Sequence, residues 1–341
     1  MEYLFEYGLF LAKTITIVVG ILFVAGSVIS LSMRNRGGGK EEIEITRLNE
    51  KFDHMSHALV GSLLSKAELK KQKKADKKEK KKTDKEPTTE HKRVFVIEFD
   101  GDIRGTHVES LREEITAVLT VARDSDEVVV KVESPGGMVH AYGLAASQLA
   151  RVKTQKIPLT ICVDKVAASG GYLMACVADK ILAAPFSIIG SIGVVTQIPN
   201  FSKILKKNDI EYEQITAGEY KRTLTMFGEN TQKGREKLQQ EVEETHGMFK
   251  DFVSSYRPDM DMNVVATGEH WLGSRAMELG LVDEILTSDD YLLESSKTAD
   301  VLRVEFKPKQ KLMDKISSAM GRMYTSFSAQ KSIESPSQYF V

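Results

Sequence analysis

The chain has 341 residues, 42% of them hydrophobic, and a formal net charge of −1. That is enough length and apolar content for one large domain or two ordinary ones, and it excludes a chain without a sizeable core. The two cysteines, Cys162 and Cys176, both lie in apolar runs. They read as buried small hydrophobes and exclude a disulfide framework.

In chain order, the first feature is Thr14 to Met33, twenty residues without a charge. This is the length a spanning helix needs, and the acidic start (Glu2, Glu6) argues for an uncleaved anchor over a cleaved leader. Arg34, Arg36 and Lys40 follow the run and only Lys13 precedes it, so the positive-inside rule sets the rest of the chain in the cytoplasm. After the Gly37–Gly39 joint, Ile45, Leu48, Phe52, Met55 and Leu59 recur at spacings of three and four, which predicts an amphipathic helix or short coiled coil. Residues 66–93 carry twelve Lys and one Arg against six acids, which leaves the rest of the chain acidic. This run reads as a solvated spacer; without interleaved aromatics it makes no dedicated nucleic-acid surface.

The folded body begins at Val94. Strands are predicted at Val94–Phe99, Val128–Val132, Pro158–Val163, Lys180–Ala184 and Ile192–Ile198, with a strand-like stretch at Tyr212–Thr216. Helices are predicted through Val108–Ala122, His140–Val152, the small-residue run after Ser169, Leu238–Tyr256 and Gly273–Leu279. This alternation argues for an α/β body with a parallel sheet. Beyond it come a strand at Val301–Phe306 and an amphipathic stripe from Leu312 to Phe327. The organisation is an anchor (1–36), a helix and lysine-rich linker (37–93), a folded body (94–290) and a C-terminal extension (291–341).

Two glycine-bearing turns, Ser134-Pro-Gly-Gly137 and Ala168-Ser-Gly-Gly171, follow consecutive predicted strands. Ser169, at the start of a helix, has the setting of a displayed nucleophile with backbone N–H groups free for an oxyanion. One turn offers the N–H of Gly136 or Gly137, the other that of Gly170. The usual base is a histidine, but none lies between His140 and His246; His140, three residues past Gly137, opens a helix and reads as exposed, and no motif places His246 or His270. A lysine serves instead if burial disfavours its charged form. Lys221, in a small and polar loop, is the informative candidate, although by composition alone it is an ordinary surface residue. No His/Cys cluster has metal-ligand spacing, and no cofactor is called for.

Together, Ser-Pro-Gly-Gly, Ala-Ser-Gly-Gly-Tyr, Gly190-Ser-Ile-Gly-Val, Gly218-Glu-Tyr-Lys-Arg and Gly273 through Leu281-Val-Asp-Glu resemble the signal peptide peptidase A family of serine proteases (peptidase family S49). Length, apolar N-terminus and linker look most like its SohB branch. The resemblance implies a Clp/crotonase-type spiral fold of repeated β-β-α units behind a transmembrane helix, and a Ser–Lys dyad. It makes Ser169 the nucleophile, Lys221 the general base, Ser191 a hydroxyl that orients the lysine, and Gly137 and Gly170 the oxyanion donors. It implies peptide or unfolded, membrane-derived polypeptide substrates, signal-peptide-like segments among them. It also implies a ring-like homo-oligomer such as an octamer, in which a neighbour can supply the lysine, and a bacterial inner-membrane location. The family's usual placement outside the membrane conflicts with the charge rule, so the face stays open. Two other readings remain: an acyl-CoA enzyme on the same spiral fold using Glu133, Asp164 or Asp179, and a non-catalytic membrane scaffold.

Overall fold

The computed structural model describes residues 6–21, 42–64 and 91–308. Its ten strands are β1 (Glu42–Arg47), β2 (Arg93–Asp100), β3 (Glu127–Glu133), β4 (Leu159–Val163), β5 (Val166–Ala168), β6 (Lys180–Ala183), β7 (Ile188–Gly190), β8 (His270–Leu272), β9 (Glu284–Ile285) and β10 (Asp300–Lys307). Seven form one sheet in the order β1-β10-β2-β3-β4-β6-β9, parallel from β10 to β9.

A parallel sheet covered on both faces favours near-continuous apolar strands, and Val128, Val129 and Val130 are all fully buried. Phe95, Ile97, Phe99, Val130 and Val132 pack on one face with the helices Val108–Leu119 and Val139–Thr154. Val94, Val96, Val129, Cys162 and Val301 face the other way, toward Leu48 and Phe52 of the helix Leu48–Leu63 and Leu292 of the helix Ser288–Ser295. Asn49 stitches the N-terminal helix to the C-terminal strand: its amide donates to the carbonyls of Ser296 and Ala299, and its oxygen accepts from Val301 N. The sheet therefore draws strands from both sides of the predicted 94–290 body.

A second sheet, β5-β7-β8, leaves the first where the Ser134↔Ala167 bridge continues β3 into β5. In it β5 and β7 run parallel and β7 and β8 antiparallel. The mixed α/β architecture and most predicted elements are present, with two differences. The strand predicted at Ile192–Ile198 lies earlier, at Ile188–Gly190, because Gly190 (φ +104°) and Ser191 (φ +53°) turn the backbone out of extended geometry. Tyr212–Thr216 is irregular and exposed, its Ile215 at 95%.

No helix among the described residues is long and apolar enough to cross a membrane. The predicted span Thr14–Met33 enters them only at 14–21, which is helical and exposed; the rest of it, most of the lysine-rich linker and the Leu312–Phe327 stripe lie outside the described residues. The transmembrane helix expected before the body is therefore not part of the fold described.

Candidate active site

Ser169 joins β5 to the helix Gly170–Ala175 with φ +52° and ψ −118°. A non-glycine residue there is strained, and such strain persists only where the surroundings over-determine it. Here they do. Ser169 N donates to Gly190 O at 2.7 Å, its carbonyl accepts from Leu173 N, and Ala168 N donates to Ser134 O at 3.0 Å.

The Ser134–Gly137 turn is interlocked with this one. Ser134 N donates to Val166 O at 2.8 Å. Gly136 takes φ +89°, and a methyl there would lie 2.7 Å from Gly170 N and 2.8 Å from Ala168 O. A methyl on Gly171 would sit 2.6 Å from Ser134 O, and one on Gly137 2.2 Å from Ile103 O. Both turns need glycine because backbone meets backbone. The N–H of Gly136 is taken by Ser134 Oγ at 3.1 Å. Those of Gly137 and Gly170 have no acceptor among the described residues. Of the two donors left open for the first turn, the free one belongs to Gly137.

Ser191 comes to the same place. The β5–β7 register sets Ala168 opposite Gly190, so Ser169 and Ser191 leave neighbouring strand ends, each with positive φ. Ser191 N is held by Glu269 O at 2.6 Å, and Trp271 covers Gly190, where a Cβ would meet its ring at 2.9 Å.

Lys221 is not brought in with them. It is exposed in the irregular segment after Gly190 and lines an open cleft of about 850 Å³ with Ile198, Tyr212, Ile215, Leu224 and Phe227, a cleft Ser169 does not line. Among the described residues neither Ser169 Oγ nor Lys221 Nζ has a hydrogen-bond partner. The histidines offer no substitute. His140 is exposed, His246 meets Ile192 O at 3.2 Å, and His270 is exposed on β8. The carboxylates of the acyl-CoA reading are engaged elsewhere: Glu133 with Lys165, Asp164 with Ser288, and Asp179 with Lys153 and Leu159 N. Burial pushes the Cys162 thiol up to about 12 and the Cys176 thiol higher still, so both are inert packing groups. No metal-binding cluster occurs among the described residues.

Residues 2–149 match the family described as peptidase family S49 N-terminal, and residues 151–302 match peptidase family S49. The chain belongs to peptidase family S49. It is a serine-type peptide-bond hydrolase. The S49 chain is 51% identical over 320 residues to the probable protease SohB of Haemophilus influenzae, covering 91% of this chain and 90% of that one. It is 45% identical over 304 residues to the probable protease SohB of Buchnera aphidicola subsp. Schlechtendalia chinensis, covering 86% and 99%. Among solved structures, it is similar to a mutant of the 1510-N membrane-bound stomatin-specific protease in complex with a substrate peptide. That similarity has 16% identity and a TM-score of 0.41, covering 68% of this chain and 98% of that one.

Ser134 and Tyr142, both buried behind the turns, carry no nucleophile or base signal in the S49 sequence. Ser134 opens the Ser-Pro-Gly-Gly turn, and Tyr142 lies eight residues on, on the same face of its helix as Ala145, Ala146 and Leu149.

Proposed function

We propose that this S49 chain is a membrane-anchored serine endopeptidase in which Ser169 attacks the scissile carbonyl and Lys221, from a neighbouring subunit, accepts its proton. The observation that carries the reading is Ser169 at φ +52°, locked against a second turn, with the free N–H groups of Gly137 and Gly170 beside it. Ser169 Oγ bonds to the carbonyl carbon, and the oxygen gathers negative charge against those two donors. Lys221 returns its proton to the leaving amine, and water then releases the acyl group from Ser169 by the same route reversed. Covering by a second copy would disfavour the charged form of an ammonium group, as a general base requires. Ser191, beside Ser169, is the hydroxyl that receives and orients that amine.

The exposed apolar side chains of the segment that carries Lys221 support assembly into a ring of the Clp/crotonase spiral type. Ile215, Ile210, Ile204 and Val195 are all more than half exposed in a single chain, and a patch of this kind marks an interaction surface. The apolar run Thr14–Met33 supports a single-pass anchor in the bacterial inner membrane. Substrates are peptides or unfolded, membrane-derived segments entering from the cleft side.

The test is labelling of the purified full-length chain with a fluorophosphonate, alongside cleavage of an unfolded protein substrate. Label at Ser169, with cleavage lost in Ser169→Ala at unchanged melting temperature, is expected. Cleavage at the wild-type rate in Ser169→Ala would sink the reading.

A further inference from the structure

We infer that Tyr142 and Ser134 are positioning residues for the oxyanion donors, acting as one buried hydrogen-bonded strut behind both turns. The inference rests on the proposed roles of Gly137 and Gly170.

Both side chains are fully buried. Tyr142 O–H donates to Asp102 O at 2.8 Å. Its single proton is thereby used, so in the 2.6 Å contact with Ser134 Oγ the serine is the donor. Ser134 Oγ in turn accepts from Gly136 N at 3.1 Å. The chain runs one way, from Gly136 N–H through Ser134 and Tyr142 to Asp102 O, with every proton assigned. Burial raises the Tyr142 phenol, against the opposing bond from Ser134, so it stays an O–H donor across the working pH range.

The strut reaches both donors. Through Ser134 it fixes the amide of Gly136, the residue before Gly137. Its ring backs Gly170 directly, since a Cβ there would lie 2.4 Å from Tyr142 Cγ. Its far end, Asp102, adjoins Ile103, whose carbonyl accepts from Met138 N on the other side of Gly137. A Cβ on Gly101 would come within 2.5 Å of both Ser134 Oγ and Tyr142 Oη, so no further group fits at this junction. A buried chain with all partners satisfied favours one geometry. Hydrogen bonds aimed at developing charge lose most of their effect when the donors are free to wander.

The experiment uses the full-length chain, a peptidyl ester substrate and its thionoester analogue, in which sulfur replaces the carbonyl oxygen and fits the donors poorly. Tyr142→Phe keeps the ring and its edge-on packing against Phe99 at 6.2 Å, and removes only the hydroxyl. It is expected to lower kcat for the ester about 10- to 30-fold with KM within about twofold, and for the thionoester less than about threefold. Ser134→Ala is expected to repeat the pattern and carries the test should Tyr142→Phe fold poorly. Wild-type kcat in both variants, or equal loss on ester and thionoester, would overturn the strut. A wild-type enzyme that hydrolyses ester and thionoester alike would overturn the oxyanion assignment itself, and the strut with it. A strong wild-type ester preference left unchanged in the variants would remove the strut alone.

Discussion

The paired turns at 134–137 and 168–171 differ sharply from the segment 194–227. Four glycines of the turns have no room for a methyl, Gly136 and Gly171 because they meet the opposite turn, and the one strained serine is pinned on both sides. The 194–227 segment has one short helix, Ser202–Lys207, and turns apolar side chains to solvent. Yet it carries Lys221. The nucleophile and oxyanion half of the proposed machinery is thus finished within one chain, and the base half is not. On the proposed reading, this open apolar surface is where a second copy would dock.

The strongest way to break this contrast is to loosen the finished half. Gly136→Ala places a methyl 2.7 Å from Gly170 N at a left-handed φ. It is expected to cut kcat about 100-fold or more and to lower stability by about 1–3 kcal/mol. Steady-state kinetics with denaturant unfolding would check both, and an active, stable variant would show that the two turns are not coupled.

The sheet side can be sharpened through pH. Burial, with Glu305 and Glu98 nearby and Phe306 N opposing, pushes the Glu114 carboxyl up to about 7. The folded state then binds the proton more tightly than the unfolded one. The stabilisation this gives is complete below the unfolded value of 4.5 and is lost as pH rises through about 7, an effect of about 3 kcal/mol. Glu114→Gln keeps an acceptor for Phe306 N and should flatten that fall in urea unfolding between pH 4.5 and 7. An unchanged slope would place the titrating group elsewhere.

On the open half, Ile215→Ser should leave the stability of a dissociated chain within about 0.5 kcal/mol. It should reduce both the assembled mass in light scattering and the activity, the latter by about tenfold. Full assembly and activity would remove Ile215 from the interface. His140→Ala, at an exposed helix start, should change kcat by less than about twofold; a large loss would restore a histidine base.

The sequence made the finished half readable and the open half hard to read, for one physical reason. Val128–Val130 and Leu159–Val163 are buried on both faces, so their composition announces strands, and turns forced to glycine announce close backbone approach. Ser169, Gly170 and Gly137 could be picked out on that basis. Val195–Ile198 and Tyr212–Thr216 also look strand-like, but these residues are exposed in one chain, and they form no strands. Pattern reports that a residue wants to be covered and is silent on what covers it. Lys221 shows the same limit: composition marks it as a surface lysine, one chain leaves it exposed, and only the family motif singles it out. Tyr142 was hidden for the opposite reason, since a tyrosine on a buried helix face looks like core until its hydroxyl is traced to Ser134.

The central claim, a dyad divided between subunits, is tested most directly by mixing. Ser169→Ala and Lys221→Ala chains would each be assayed alone, then together after subunit exchange verified by energy transfer between labelled copies. The account predicts two inactive proteins, each at least about 1000-fold below wild type, and recovery of a substantial fraction of activity in the mixture. Near-wild-type activity in either single variant, or no recovery despite demonstrated exchange, would contradict it.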